Sequence, residues 1–127
     1  MRLLDTIVIV SALNPDDRYH KDALSHLRSL KADQDVYAPT STLTEFDLVL
    51  RNRGYTESEI EGTWKALVPL IGRKTMATTP SAHLIATNLR ADGLSYFDSL
   101  IAALARETKS VVVTKDLEIS KHVQTEW

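Results

Sequence analysis

Apolar residues first gather in Leu3-Leu4-Asp5-Thr6-Ile7-Val8-Ile9-Val10, a run broken only by Asp5 and Thr6. It predicts a short buried strand feeding a helix over 6–13, which Asn14-Pro15 ends because proline resists helix continuation. Ala23, Leu24, Leu27 and Leu30 then recur at helical spacing between His20 and Leu30, opposite Lys21, Asp22, Arg28 and Lys31. Val36-Tyr37-Ala38 reads as a strand stopped by Pro39. Three Ser/Thr-x-x-acid matches predict helix starts. Thr42/Glu45 opens a helix from Leu43 to about Asn52, Thr56/Glu59 one from Glu57 to about Ile71, and Ser95/Asp98 one to about Thr108. Gly54 and Gly72 close the first two. After Gly72, Arg73 to Thr78 reads as a strand, and Thr79-Pro80 as an N-cap with proline at the first helical position, leading to about Arg90. Ser110-Val111-Val112-Val113-Thr114 is the clearest strand, β-branched and uncharged. Leu117 to Val123 reads as a short last helix.

Strands separated by helices predict an α/β fold: a three-layer α/β/α sandwich on a mainly parallel central sheet. At 127 residues the chain is read as a single domain over 1–127. No apolar run approaches the roughly 20 residues that span a bilayer, and Asp5 breaks the N-terminal run too early for a signal peptide. The absence of cysteine excludes disulfides and thiolate metal sites and fits a reducing cytoplasm, the compartment expected. A net charge of −2 means that any nucleic-acid contact must come from a local basic patch.

Within this framework four acids stand out. Asp5 and Asp116 fall at the ends of apolar strands, where α/β sheets collect ligands. Glu45 and Asp98 fall in the first turns of helices. Each has a structural alternative: Asp5 as a helix cap, Glu45 and Asp98 as capping-box acids, Asp116 as a turn residue. Thr56/Glu59 shows a box with no chemistry beside it. Two features favour function. Asp5 is the only charge between Arg2 and Asp16, and Asp98 the only one from Leu94 to Ala105. The helix after Asp98 is apolar on all sides, so its first turn lies near the interior. Carboxylates buried together without lysine or arginine are unfavourable, and a divalent cation resolves the conflict. All-oxygen ligands suit Mg²⁺ or Mn²⁺ rather than zinc.

Leu4-Asp5-Thr6, Thr44-Glu45-Phe46, Phe97-Asp98-Ser99 with its apolar helix, and Val113-Thr114-Lys115-Asp116 resemble, in order and spacing, the PIN-domain nucleases. The likeness covers nearly the whole chain. It is strongest to the small VapC-type toxin ribonucleases of toxin–antitoxin pairs. The resemblance implies Asp5, Glu45, Asp98 and Asp116 as catalytic acids and metal ligands, with Thr6 and Thr114 supplying hydroxyls. It also implies one or two Mg²⁺ or Mn²⁺ ions, hydrolysis of an RNA phosphodiester, a cognate antitoxin and a homodimer. Many relatives carry Asn where Ile7 stands, and the usual final edge strand is expected to be short or absent before Trp127.

Among the basic residues Arg51, Arg53, Arg73, Lys74, Lys109, Lys115 and Lys121, Lys115 beside Asp116 is the favoured phosphate contact. The histidines show no ligand spacing. Trp64, Leu67, Val68 and Ile71 form an apolar stripe for core or dimer contact. Two alternatives compete: a non-cleaving PIN-like module that binds RNA or protein, and a receiver-type phosphoacceptor. The latter lacks its paired acid near position 5 and an acceptor Asp after a mid-chain strand.

Overall fold

A computed structural model describes residues 1–127. Five parallel strands form the sheet: β1 (Arg2–Leu4), β2 (Val36–Pro39), β3 (Thr75–Met76), β4 (Val111–Val113) and β5 (Thr125–Glu126). Seven helices join them: α1 (Thr6–Ala12), α2 (His20–Ala32), α3 (Thr40–Asn52), α4 (Glu57–Ile71), α5 (Pro80–Ala91), α6 (Tyr96–Thr108) and α7 (Leu117–Ser120). The spatial order is β3-β2-β1-β4-β5, so the strand sequence reverses between β1 and β4. The final edge strand exists, two residues long, paired with β4.

Alternation in β1 assigns the two faces of the sheet. Leu4 packs with Val36, Ala38 and Val113 against α1, α2, α3 and α4. Leu3 packs with Val112 against Ile101 and Leu104 of α6 and Ile119 of α7. The α6 residues Leu100, Ala102 and Ala103 instead meet Ala82, Ala86 and Leu89 of α5. Helix α6 is therefore buried on both sides, between the sheet and α5, which explains its uninterrupted apolar run. Leu104→Ala, at a side chain 1% exposed, is expected to lower stability by about 2–5 kcal/mol in denaturant unfolding.

Local signals act as their chemistry dictates in most places. Thr56 and Glu59 form a reciprocal capping box, and the Thr79 hydroxyl accepts from the Ala82 amide. The Thr42/Glu45 match is not a box. Helix α3 begins three residues earlier than the box predicts, behind Pro39, and Thr42 lies inside it. Its hydroxyl donates instead to the Leu4 carbonyl at 3.0 Å, pinning α3 to the end of β1. Ser95 occupies the N-cap position of α6 without capping it through its side chain. Trp64 is half-buried: its ring packs edge-on to Phe46, and its Nε1 donates to Asp47 at 3.0 Å. Leu67 and Ile71 complete that part of the core, while Val68 stays exposed.

Candidate active site

The reversal of strand order opens a crevice at the carboxyl ends of β1 and β4. Leu4 pairs with Val113, so the next residues, Asp5 and Thr114, stand side by side as both strands end. Asp5 caps α1 while facing this crevice. One carboxylate oxygen accepts the Thr6 amide at 2.8 Å, and the other accepts the Thr114 hydroxyl at 2.6 Å. The Thr114 oxygen in turn accepts the Asp116 amide at 3.0 Å, coupling the turn after β4 to Asp5. Asp116 caps α7 through the Glu118 amide at 2.8 Å. The capping readings of Asp5 and Asp116 are thus real, and neither removes the side chain from the crevice.

Glu45 arrives from α3, one turn after its start, and accepts a hydrogen bond from the Thr6 hydroxyl. The Thr42–Leu4 bond sets where α3 enters, so a residue with no chemistry of its own positions Glu45. Asp98 enters from the first turn of α6, beside Asp116.

Electrostatics tie the four acids together. Burial pushes the Asp5 carboxyl up to about 6, the Thr114 and Thr6 hydrogen bonds oppose that rise, and the charges of Glu45 and Asp98 add to it. Burial also raises Glu45, offset by Thr6 and reinforced by Asp98 and Asp116. Asp98 rises through burial, against a hydrogen bond from Ser95, and the facing Asp116 carboxyl raises it further. No cation answers this charge: the six ion pairs of the chain involve none of these four acids. The Lys115 ammonium pairs with none of them and lies 4.9 Å from the Tyr19 ring and 5.3 Å from the Trp127 ring. Of the other basic residues, Arg51 pairs with Asp47 and Glu57, and Lys121 with Glu118. Lys74 donates to the carbonyls of Asp33 and Gln34.

No three of these side chains form a closed, ready-made cation cage. The donor set nonetheless fits a hard divalent ion: carboxylate and hydroxyl oxygens only, a net negative charge, and no cationic side chain paired with it.

A parallel α/β sheet with an acidic crevice at its switch point defines the class of protein: one that gathers carboxylates for chemistry at a strand-end crevice. The chain belongs to the PIN domain family, whose model matches residues 2–123. That membership removes the phosphoacceptor alternative. No curated protein matches the sequence. Among solved structures, FitAcB from Neisseria gonorrhoeae superposes with a TM-score of 0.73 at 23% identity, over 98% of this chain and 96% of that one. VapBC2 from Rickettsia felis, bound to a DNA fragment from its promoter, gives a TM-score of 0.73 at 15% identity, over 99% and 98%. The sarcin-ricin loop cleaving toxin VapC20 of Mycobacterium tuberculosis gives 0.69 at 17%, over 95% and 94%.

Proposed function

We propose that this chain is a Mg²⁺- or Mn²⁺-dependent endoribonuclease, the toxin of a toxin–antitoxin pair. The supporting observation is the meeting of Asp5, Glu45, Asp98 and Asp116 in one crevice without a cationic side chain among them. Asp5, Glu45 and Asp98 would hold the metal, and Asp116 would hold a second ion or orient the attacking water. A bound divalent ion supplies positive charge that lowers the pKa of water and stabilises the charge developing on phosphoryl oxygens.

The chain's own residues perform the positioning. Thr114 and the Thr6 amide clamp both Asp5 oxygens, leaving the carboxylate a single orientation and its remaining lone pairs toward the crevice. Thr6 restrains Glu45 in the same way from the first turn of α1. Helix N-termini at α1, α6 and α7 face the same edge, and their positive ends favour the ionised acids and an incoming phosphate. Asp98 and Asp116 face each other, and a cation between them would offset the repulsion of their carboxylates.

The family membership and neighbours that are toxin–antitoxin complexes support an antitoxin partner for this chain as well. The open cage favours a second reading, a PIN-like module that binds RNA without cutting it.

Incubation of the purified protein with a mixed-sequence RNA separates the two. Cleavage is expected with Mg²⁺ or Mn²⁺ and is expected to stop with EDTA and in folded Asp98→Asn protein. Cleavage that survives chelation, or persists undiminished in that variant, rejects the nuclease reading. Metal-independent RNA binding without cleavage supports the module.

A further inference from the structure

The turn that carries Asp116 is held by contacts other than those made by the acids. Thr114 turns its hydroxyl to Asp5, and the Asp116 carboxyl faces Asp98. Between them in the chain, Lys115 sets its ammonium 4.9 Å from the Tyr19 ring and 5.3 Å from the Trp127 ring. Lys115 forms no ion pair, so cation–π attraction to these two rings is what seats it. Asp116 keeps an extended backbone. Side chains alternate sides along such a segment, so a seated Lys115 constrains the directions of both its neighbours.

Trp127 is itself anchored at two ends. Tyr19, at the N-cap of α2, and Asp22 and His26, in its first two turns, recur at helical spacing and share one face. The Trp127 ring meets Tyr19 edge-on at 5.5 Å and His26 at 5.1 Å, and its Nε1 donates to Asp22 at 3.3 Å. The His20 Nδ1 donates to the Ser11 carbonyl at 3.0 Å, which fixes α2 to the helix that Asp5 caps. At the other end, the Thr114 amide donates to the Glu126 carbonyl at 3.0 Å, bringing Trp127 beside the turn. Strand β5 has two residues. So short an edge strand holds few backbone bonds, and the ring that follows it keeps it seated.

We propose that Tyr19 and Trp127 are positioning residues for the acidic site: their rings seat Lys115, and through it they hold Asp116 toward a bound cation. The proposal rests on the metal-site reading for its purpose, but the restraint on the turn is testable without metal. The sign of one effect separates it from a phosphate-contact role for Lys115. Removing a positive charge beside a cation site, taken alone, tightens cation binding. Losing a positioning contact weakens it.

The test compares the full-length wild type with Lys115→Met, Lys115→Arg, Trp127→Ala and Trp127→Phe. Without metal, hydrogen exchange of the Asp116 amide, which donates to the Thr114 hydroxyl at 3.0 Å, reports the restraint. In Lys115→Met and Trp127→Ala it is expected to quicken about fivefold, the size of one lost cation–π contact. The Leu4 and Val112 amides, in the sheet core, should keep their protection. Calorimetric titration of the RNA-free protein with Mn²⁺ should show a Kd weakened about tenfold in the same two variants, the low end for outer partners of metal ligands. Lys115→Arg and Trp127→Phe keep the cation and the ring, and both should behave nearly as wild type. Tighter or unchanged Mn²⁺ binding in Lys115→Met overturns the proposal. So does a wild-type exchange rate at Asp116 in that variant, or failure of Lys115→Arg to restore both readings. Should Trp127→Ala lose core protection, Trp127→Phe and the two Lys115 variants decide by the same measurements. If wild type binds no Mn²⁺ while the Asp116 amide responds as described, the metal reading falls and the positioning of the turn stands.

Discussion

Asp5→Asn protein is expected to cleave RNA roughly a thousandfold more slowly than wild type, yet to be at least as stable at neutral pH without added metal. The first half follows from the loss of an anionic ligand, since a few kcal/mol of charge stabilisation correspond to that factor in rate. The second half follows from burial. Asp5 is 7% exposed, and its carboxyl is pushed from 3.8 up to about 6. A carboxyl with a raised folded pKa binds protons more tightly in the folded chain than in the unfolded one. Its contribution therefore favours folding below about pH 4 and is lost as pH rises through about 6. Above that, ionised Asp5 disfavours folding by about 3 kcal/mol, an order-of-magnitude figure. Asparagine removes this cost and still caps α1 through its Oδ1, while its amide nitrogen takes the place of the second oxygen and can donate to the Thr114 hydroxyl. Urea unfolding at about pH 4 and pH 8 measures it: wild type weakens toward the higher pH and the variant should lack that decline. A variant less stable than wild type at pH 8 would contradict the burial of a charged Asp5.

Divalent metal is expected to reverse the same penalty. Mn²⁺ at a hundredfold excess over its Kd should stabilise the folded chain by about 2.7 kcal/mol, raising Tm on the order of 10 °C at about pH 8. Near pH 4.5 Asp5 is protonated, since its pKa stands at about 6, and protons compete for the same oxygens. The shift should then shrink to a small fraction. Thermal melts with and without Mn²⁺ at the two pH values check this. Equal shifts at both, or an undiminished shift in Asp98→Asn, would place the metal elsewhere.

Much of this architecture is legible along the chain because local chemistry and tertiary demand agree. The apolar runs of β1 and β4 are short, β-branched or aliphatic, and bounded by polar residues, as strands buried on both faces must be. The apolar circumference of α6 signals two neighbours, which α5 and the sheet provide. Thr79-Pro80 and Thr56/Glu59 start helices because their hydroxyls satisfy amides within one turn, a contact that needs no distant partner.

Where sequence reasoning failed, a long-range bond had displaced a local one. Thr42 matches a cap but serves as a tether to Leu4, a residue 38 positions earlier. The unpartnered hydroxyls of Ser41 and Thr78 carried no signal at all, since nothing in a serine or threonine reveals whether its environment will satisfy it.

By itself, the sequence determined which segments become strands and helices and which acids sit at their ends, because periodicity and end-capping act within a few residues. Only the tertiary structure decided that the ends of β1 and β4 stand adjacent, that Thr114 reaches across 109 positions to hold Asp5, and that no cation enters the gap. Those outcomes depend on strand order and on how helices pack over the sheet, which bring together charges that the chain keeps far apart.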